Sequence, residues 1–170
     1  LVGAPKLYIW LDKAKVAADE LLQHKESYLN GTFFVIRLVA FFALWLIFAK
    51  VMVGRSLKQD QTGDASLTHK QVGTGIAFIM TFALSYSLFS IDMIMSVEPH
   101  FFSTIFGVYC FSGLFQSTMA LMLLTIIYMR SKGLLQGYVT DDHMHDLGKF
   151  LFAFTVFWGY IAFSQYMLIW

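Results

Sequence analysis

The chain has 170 residues, of which 58% are hydrophobic, 18% aromatic and only 14% charged, with a formal net charge of +1. Soluble domains carry about 25% charged residues, so this composition indicates a membrane protein, and the small net charge argues against nucleic acid as a partner. The single cysteine, Cys110, excludes an internal disulfide and any iron–sulfur cluster or covalently attached haem held by cysteines of this chain.

Residues 1–30 are too polar to cross a membrane. Their apolar positions recur at helical spacing, with charged residues between them; these positions are Leu7, Trp10, Leu11, Ala14, Ala18 and Leu21. The pattern predicts an amphipathic helix that lies on the membrane surface. A helix packed against other protein would show the same pattern.

Four apolar stretches follow, each long enough for the roughly 20 residues that a membrane-spanning helix needs. There is no acidic or basic residue from Phe101 to Met129, nor from Phe150 to Trp170. The predicted spans cover residues 32–53, 72–97, 101–129 and 149–170, joined by polar loops at 54–71 and 130–149. The expected fold class is all-α, a polytopic transmembrane helical bundle. Because the last apolar stretch ends without a polar flank, we expect a segment of a longer protein.

Several residues at the ends of the spans have predicted roles. Arg37 and Lys50 lie near the two ends of the first span, where long side chains can reach water. A turn is expected at 61–64, and Pro99 is expected to end the second span. Lys and Arg are slightly more frequent in the loops at 54–71 and 130–149 than on the opposite side. This bias predicts that those loops are cytoplasmic and that the turn at 98–100 is periplasmic.

Asp92 lies inside the second span, about five residues from its end, or roughly 7 Å along a helix. An ionised carboxylate in hydrocarbon costs on the order of 3 kcal/mol or more, so Asp92 should face protein or water. Ser85, Thr81 and Thr74 fall within about 20° of it on the helix, which predicts a line of hydroxyls ending in a carboxylate. Such a line suits proton or ligand chemistry. Hydroxyls bonded to their own backbone at a helix contact would give the same pattern.

The third and fourth spans carry weaker polar lines. They consist of Tyr109, Ser112 and Gln116 in the third span, and of Lys149, Tyr160 and Ser164 in the fourth. All five histidines lie outside the apolar centres, which argues against a transmembrane b-type haem. His143 and His145 with Asp146 are too few for a convincing metal site, so no metal is expected in this chain.

Two long motifs resemble a known family. They are SIDMIMSVEPHFFSTIFGVY at 90–109 and HDLGKFLFAFTVFWGYIAFSQYMLIW at 145–170. Both resemble the F membrane subunit of alternative complex III, a bacterial quinol:cytochrome c (or electron-acceptor) oxidoreductase, within the wider group similar to the membrane subunit of polysulfide reductase. Shorter stretches at 28–34 and 55–68 also fit, so the resemblance covers nearly the whole chain. The chain departs from the family at Met93, Glu98 and Phe101-Phe102, where Trp, Asp and Trp-Tyr are usual.

The resemblance implies a subunit of about ten helices that include two four-helix bundles, placed in the bacterial inner membrane. It implies partner subunits: multihaem c cytochromes, an iron–sulfur subunit and a related membrane subunit, with a cytochrome oxidase as a further partner. The haem c groups and iron–sulfur clusters would belong to those partners. This chain would hold no redox centre of its own, and a quinone is the one cofactor that it could bind.

Three hypotheses remain for such a subunit, the first being a proton path coupled to quinol oxidation. Its periplasmic mouth would consist of Asp92, Glu98 and His100, its cytoplasmic mouth of His145, Asp146 and Lys149, and its interior of Ser85, Thr81, Thr74, Tyr160 and Ser164 with waters. The second is quinone binding, with Glu98 and His100 taking up quinol protons. The third is a purely structural scaffold. A secondary transporter fits the polar lines but not the motifs.

Overall fold

The computed structural model of the protein describes residues 7–135 and 137–169, without the side chain of Ile169. The first six residues of the predicted surface segment, and Trp170 at the end of the last predicted span, lie outside these ranges. The chain divides into two compact units, Leu1–Phe102 and Ser103–Trp170. Within the described ranges the protein forms helices and turns, with no strand.

The first unit contains two short and two long helices. The short ones are α1, Lys13–Ala17, and α2, Glu20–Lys25; the long ones are α3, Gly31–Thr62, and α4, Ser66–Met93. The second unit contains α5, Phe106–Ser131, and α6, Asp141–Ile169. Among the described residues, α3, α4 (with the turn that follows it), α5 and α6 are each long and apolar enough to cross a membrane. The expectation of an all-α, polytopic membrane protein is therefore confirmed.

The helices extend further into the polar connections than predicted. Only residues 63–65 join α3 to α4, and residues 132–140 join α5 to α6, whereas the predicted loops were 54–71 and 130–149. Lys, Arg, Gln and Leu are good helix formers, so a helix continues past the apolar stretch into water. At the opposite end α4 stops at Met93, before a single 3-10 turn at Met95–Val97 and Pro99.

The predicted turn at 61–64 is present and is built by two residues. Gly63 ends α3 with a φ of 65°, a left-handed conformation that glycine adopts without strain, and its N–H donates to the Gln59 carbonyl at 2.8 Å. The Asp64 carboxylate then accepts hydrogen bonds from the Ser66 N–H at 2.9 Å and the Ser66 hydroxyl at 2.8 Å. The chain therefore reverses sharply, and α4 runs back along α3.

Residues 7–30, which we call the N-terminal strap, fold as two short helices instead of one amphipathic helix. Asp12 accepts a hydrogen bond from the Ala14 N–H, and Asp19 accepts one from the Leu21 N–H. Each aspartate caps and so restarts the helix. Four apolar residues of the strap, Tyr8, Trp10, Leu22 and Leu29, pack with Phe34 of α3 in a buried cluster. Of the predicted apolar face, Leu7, Ala14, Ala18 and Leu21 are exposed. The strap is therefore docked on the ends of α3 and α4.

The contact between α3 and α4 is aromatic in its centre. The Trp45 ring lies 5.2 Å from both Phe82 and Phe89 between centroids, and Phe48 lies 5.4 Å from Phe78. Tilted and edge-on ring pairs at such distances add stabilisation beyond the area that they bury. Polar side chains cross the interface mainly towards its two ends.

The second unit is a similar antiparallel pair. Phe115 stacks on Phe154 with centroids 4.1 Å apart, and Tyr109 stacks on Trp158 at 5.6 Å. A Cβ atom on Gly113 would lie 3.2 Å from Trp158 Nε1, so this glycine allows the indole to approach α5 closely. Ser103 donates to Gln165 at 2.6 Å, and Gln116 donates to Thr155 at 3.1 Å.

Candidate functional site

Asp92 forms a buried ion pair with Arg37. Asp92 is 3% exposed in the last turn of α4, and the Arg37 side chain is 11% exposed near the start of α3. Arg37 Nε donates to Asp92 Oδ2 at 2.7 Å, and Arg37 Nη2 donates to Asp92 Oδ1 at 3.1 Å. Parallel bonds of this kind are the strongest arrangement for a guanidinium and a carboxylate. The expectation that Arg37 reaches water is therefore wrong, because a carboxylate at the same depth holds it inside.

Arg37 has further contacts that do not depend on Asp92. Its Nη1 donates to the Tyr28 carbonyl at 3.1 Å, and its guanidinium carbon lies 3.9 Å from the centroid of the Tyr28 ring and 4.3 Å from that of Phe33. Aromatic faces attract a cation by about 0.5–2 kcal/mol, most strongly where water is excluded. The guanidinium is thus held in place by contacts of its own besides those with Asp92.

The strap covers the end of α4 by donating to carbonyls of its last residue and of the turn that follows. The Tyr8 hydroxyl donates to Met93 O at 3.0 Å, and Trp10 Nε1 donates to Ser96 O at 3.0 Å. Lys25 Nζ donates to Pro99 O at 2.6 Å. The last carbonyls of a helix have no partner within the helix, so Tyr8 satisfies one of them at the end of α4. Trp10 and Lys25 bond to carbonyls of the turn beyond it. This is the physical reason that the strap lies beside the ion pair.

Two titratable groups of the strap, Tyr28 and Asp19, have shifted pKa values in the folded protein. Burial, and after it the Asp92 carboxylate, raise the pKa of the Tyr28 phenol, although the Arg37 charge opposes them. Burial acts to raise the pKa of Asp19, but hydrogen bonds from the Leu22 and Leu21 N–H groups and the nearby His100 lower it below its usual range. His100 Nε2 lies 2.8 Å from Asp19 Oδ2 and its side chain is 56% exposed.

The two sides of the ion pair differ in the space they leave. On the strap side a cavity of about 270 Å³ is lined by Lys25, Tyr28, Leu29, Ile91, Met95, Ser96, Pro99 and Phe101. On the other side the space beside Asp92 is closed by Phe34, Leu38, Phe41, Phe89 and Met93, and it leaves no room for a water molecule. Of the predicted periplasmic mouth, Glu98 and His100 are exposed on the turn, while Asp92 is buried.

The hydroxyl line of α4 faces α3 and is used in pairing the two helices. Trp45 Nε1 donates to the Ser85 hydroxyl at 2.9 Å, and Ser85 donates to its own helix at Phe82 O. The hydroxyl of Thr74 accepts a hydrogen bond from Arg55, and Thr81 is half-buried between them. Aromatic rings occupy the interface around Ser85. The Ser85 and Thr74 hydroxyls therefore bond across the helix contact, in line with the alternative that the sequence left open.

The predicted residues of the fourth span belong to the second unit and lie mainly on its surface. His145 is exposed, Asp146 and Lys149 form an exposed ion pair at 3.1 Å, and Tyr160 is 65% exposed. Ser164 donates to the Tyr160 carbonyl at 2.9 Å. The face of α6 that packs against α5 carries Thr155, Trp158 and Gln165 instead.

The sequence analysis did not predict the α3 partners of the polar residues of α4. These partners are Arg37 for Asp92, Trp45 for Ser85 and Arg55 for Thr74. Each pair lies at nearly equal sequence distances on either side of the turn at 63–65. Two antiparallel helices joined by so short a turn must pair in this way. The signal was therefore present, but the predicted long loop at 54–71 concealed the register.

The described residues contain no group of three or more His, Cys, Asp or Glu side chains that could hold a metal ion. No protein-family model and no curated protein matches this chain. The resemblance to the F subunit of alternative complex III therefore depends on the sequence motifs alone, chiefly those at 90–109 and 145–170, and it stays a hypothesis.

Proposed function

We propose that the chain is a membrane subunit of a bacterial respiratory quinol:cytochrome c (or electron-acceptor) oxidoreductase of the alternative complex III type. In this proposal the subunit contributes a proton-carrying group to a path coupled to quinol oxidation. Its partners in the inner membrane are multihaem c cytochromes, an iron–sulfur subunit and a related membrane subunit. The electron chemistry belongs to those partners.

The observation that carries the proposal is the buried Arg37–Asp92 pair at the end of a membrane-spanning helix. Burying an ion pair seldom increases stability compared with apolar residues of similar size. Ionisable residues inside a membrane are therefore functional candidates by default. The motif at 90–109 contains Asp92 and is one of the two that resemble the F subunit.

The geometry fixes the surroundings of this carboxylate. Arg37 stays charged under all ordinary conditions, and its contacts with Tyr28 and Phe33 hold it in place. The guanidinium therefore stays beside Asp92, which in this proposal is the group that carries the proton.

Substituting Asp92 in the intact complex tests the proposal. Asp92→Asn keeps the shape of the side chain but cannot carry a proton, so we expect a lower proton-to-electron ratio in complex reconstituted into vesicles. Asp64→Asn, at the exposed turn between α3 and α4, is the matched control and should leave the ratio unchanged. If Asp92→Asn complex retains both its turnover and its ratio, Asp92 has no part in proton transfer.

Quinone binding is the second candidate function, and the cavity beside Tyr28 favours it. Its walls are largely apolar, and Lys25, Tyr28 and Ser96 add polar atoms, as in many ligand sites. The volume of about 270 Å³ lies just below the usual range of roughly 300–1,000 Å³, so this candidate stands second. A photoreactive quinone that labels 25–29 or 91–101 in the complex would favour it over the first.

A further inference from the structure

The cavity beside Tyr28 is the only one of the two spaces flanking the ion pair that can admit water. It lies between the strap and the end of α4, and at about 30 Å³ per water its 270 Å³ has room for several molecules. Lys25, on its wall, is fixed by its bond to the Pro99 carbonyl. The opposite side of Asp92 is packed by apolar side chains without space for water.

Tyr28 is shared between this cavity and the ion pair. It lines the cavity, its ring covers the Arg37 guanidinium at 3.9 Å, and its carbonyl accepts a hydrogen bond from Arg37. Ile91, the residue before Asp92, lines the same cavity. Tyr28 is therefore the residue through which the cavity adjoins the ion pair, since neither Arg37 nor Asp92 lines it.

Building on the proton role proposed above for Asp92, we propose that the cavity is the water-filled vestibule through which Asp92 exchanges its proton. In the same proposal the Tyr28 hydroxyl relays the proton between the vestibule and the ion pair. A hydronium ion in the vestibule gives a proton to the phenol oxygen while the phenol gives its own proton to the carboxylate. One O–H bond breaks and one forms at each transfer, and water and a protonated Asp92 remain. Glu98 and His100 on the exposed turn are then not part of the entry route.

The first test asks whether water reaches the cavity, and it does not require a measurement of turnover. In complex carrying Cys110→Ser, a Met95→Cys thiol lines the cavity and should react with a water-soluble maleimide. Ile94→Cys, the neighbouring residue on the exposed face, is the matched control for assembly and for the effect of a label in this turn. A Met95→Cys thiol that stays unreacted in assembled complex means that the cavity is dry or filled, and it overturns the vestibule.

The second readout is the effect on proton movement. Labelling Met95→Cys after assembly fills the cavity without disturbing folding. We expect the label to lower the proton-to-electron ratio, as Asp92→Asn does. Labelled Ile94→Cys, the control, should keep the ratio unchanged. Tyr28→Phe retains the ring over Arg37 but lacks the hydroxyl; it should slow proton uptake by about tenfold or more and leave the KM for quinol unchanged.

The two proposals fail in different ways. If Asp92→Asn lowers the ratio but the label at Met95→Cys and the change Tyr28→Phe do not, protons reach Asp92 by another route and the vestibule is overturned alone. If Asp92→Asn leaves the ratio unchanged, the proton role itself is lost, and the proposed vestibule falls with it whatever the labelling shows.

Discussion

The Arg37 guanidinium and the Asp92 carboxylate, 55 residues apart in the chain, meet in a two-bond ion pair with distances of 2.7 and 3.1 Å. Each residue alone would be costly inside a membrane-spanning helix, and together they offset much of that cost. The pair also links α3 to α4 at the end where the strap docks. Structural and proposed functional roles therefore fall on the same two side chains.

Removing one member of this pair should be strongly destabilising. Arg37→Gln leaves the buried Asp92 carboxylate without its counter-charge, and we expect a loss of about 3–5 kcal/mol in the free energy of unfolding. Arg37→Lys keeps the charge but not the two parallel bonds, so its loss should be smaller. Reversible unfolding in detergent micelles measures both. Arg130→Gln, the control, breaks an exposed pair with Asp141 and should lower the free energy of unfolding by less than about 1 kcal/mol. If Arg37→Gln lowers it by a similarly small amount, the burial of the Arg37–Asp92 pair does not matter for stability.

The hydrogen bond from Trp45 to Ser85 should contribute modestly to the pairing of α3 and α4. Polar contacts between membrane helices have coupling energies that average about 0.6 kcal/mol and reach about 1.7 kcal/mol. A double-mutant cycle with Trp45→Phe and Ser85→Ala isolates this term, because each change removes one partner and keeps most of the packing. Ser87→Ala, which removes only a bond within α4 to the Ala83 carbonyl, is the comparison. A coupling energy of zero would show that the indole contributes by packing alone.

Replacing Gly113 by a larger residue should lower the stability of the second unit. A methyl group there would lie 3.2 Å from Trp158 Nε1, closer than ordinary contact, so Gly113→Ala should force the indole away from α5 and destabilise by about 1–3 kcal/mol. Gly159→Ala in α6 meets no atom within 4 Å and should be neutral or slightly stabilising, since alanine favours a helix by about 1 kcal/mol over glycine. Thermal unfolding of the two variants side by side checks this. Equal stabilities would mean that the Trp158 ring moves without cost.

The docking of the strap should weaken in acid. The folded protein lowers the pKa of Asp19 below its usual value of 3.8. The carboxylate therefore stabilises the folded state above about pH 4, and this contribution is lost as the pH falls through the lowered value. Amide hydrogen exchange of residues 13–29, followed as the pH is lowered and corrected for intrinsic rates, should show faster opening.

Asp19→Asn is the variant that checks the assignment of this pH dependence. An asparagine at this position can still cap α2 through its side-chain oxygen, but it has no charge to lose. The acid-dependent opening should therefore be weaker in Asp19→Asn, while Asp12→Asn, at the cap of α1, should retain it. If Asp19→Asn opens with the same pH dependence as the unchanged chain, another group controls the strap.

Much of the fold followed from local properties of the chain. Apolar length predicted the four long helices, Gly63 predicted the reversal between α3 and α4, and the capping aspartates explain why the strap breaks into two short helices. Helix ends were predicted less well, because Lys, Gln and Arg continue a helix into water and leave no change of composition at its end. The burial of Asp92 was expected, since an ionised group cannot face hydrocarbon at an acceptable cost.

The sequence by itself determined that this is a helical membrane protein and that Asp92 needs a partner or water. Only the tertiary structure decided which: the partner is Arg37, Ser85 and Thr74 of α4 bond to α3, and of the two spaces beside the ion pair the one at Tyr28 is open. The reason is physical. Hydrophobicity and helix propensity act over neighbouring residues and can be summed along a chain. The partner of a buried charge depends instead on the register of two helices, which the three-residue turn sets and which no local pattern in α3 or α4 records.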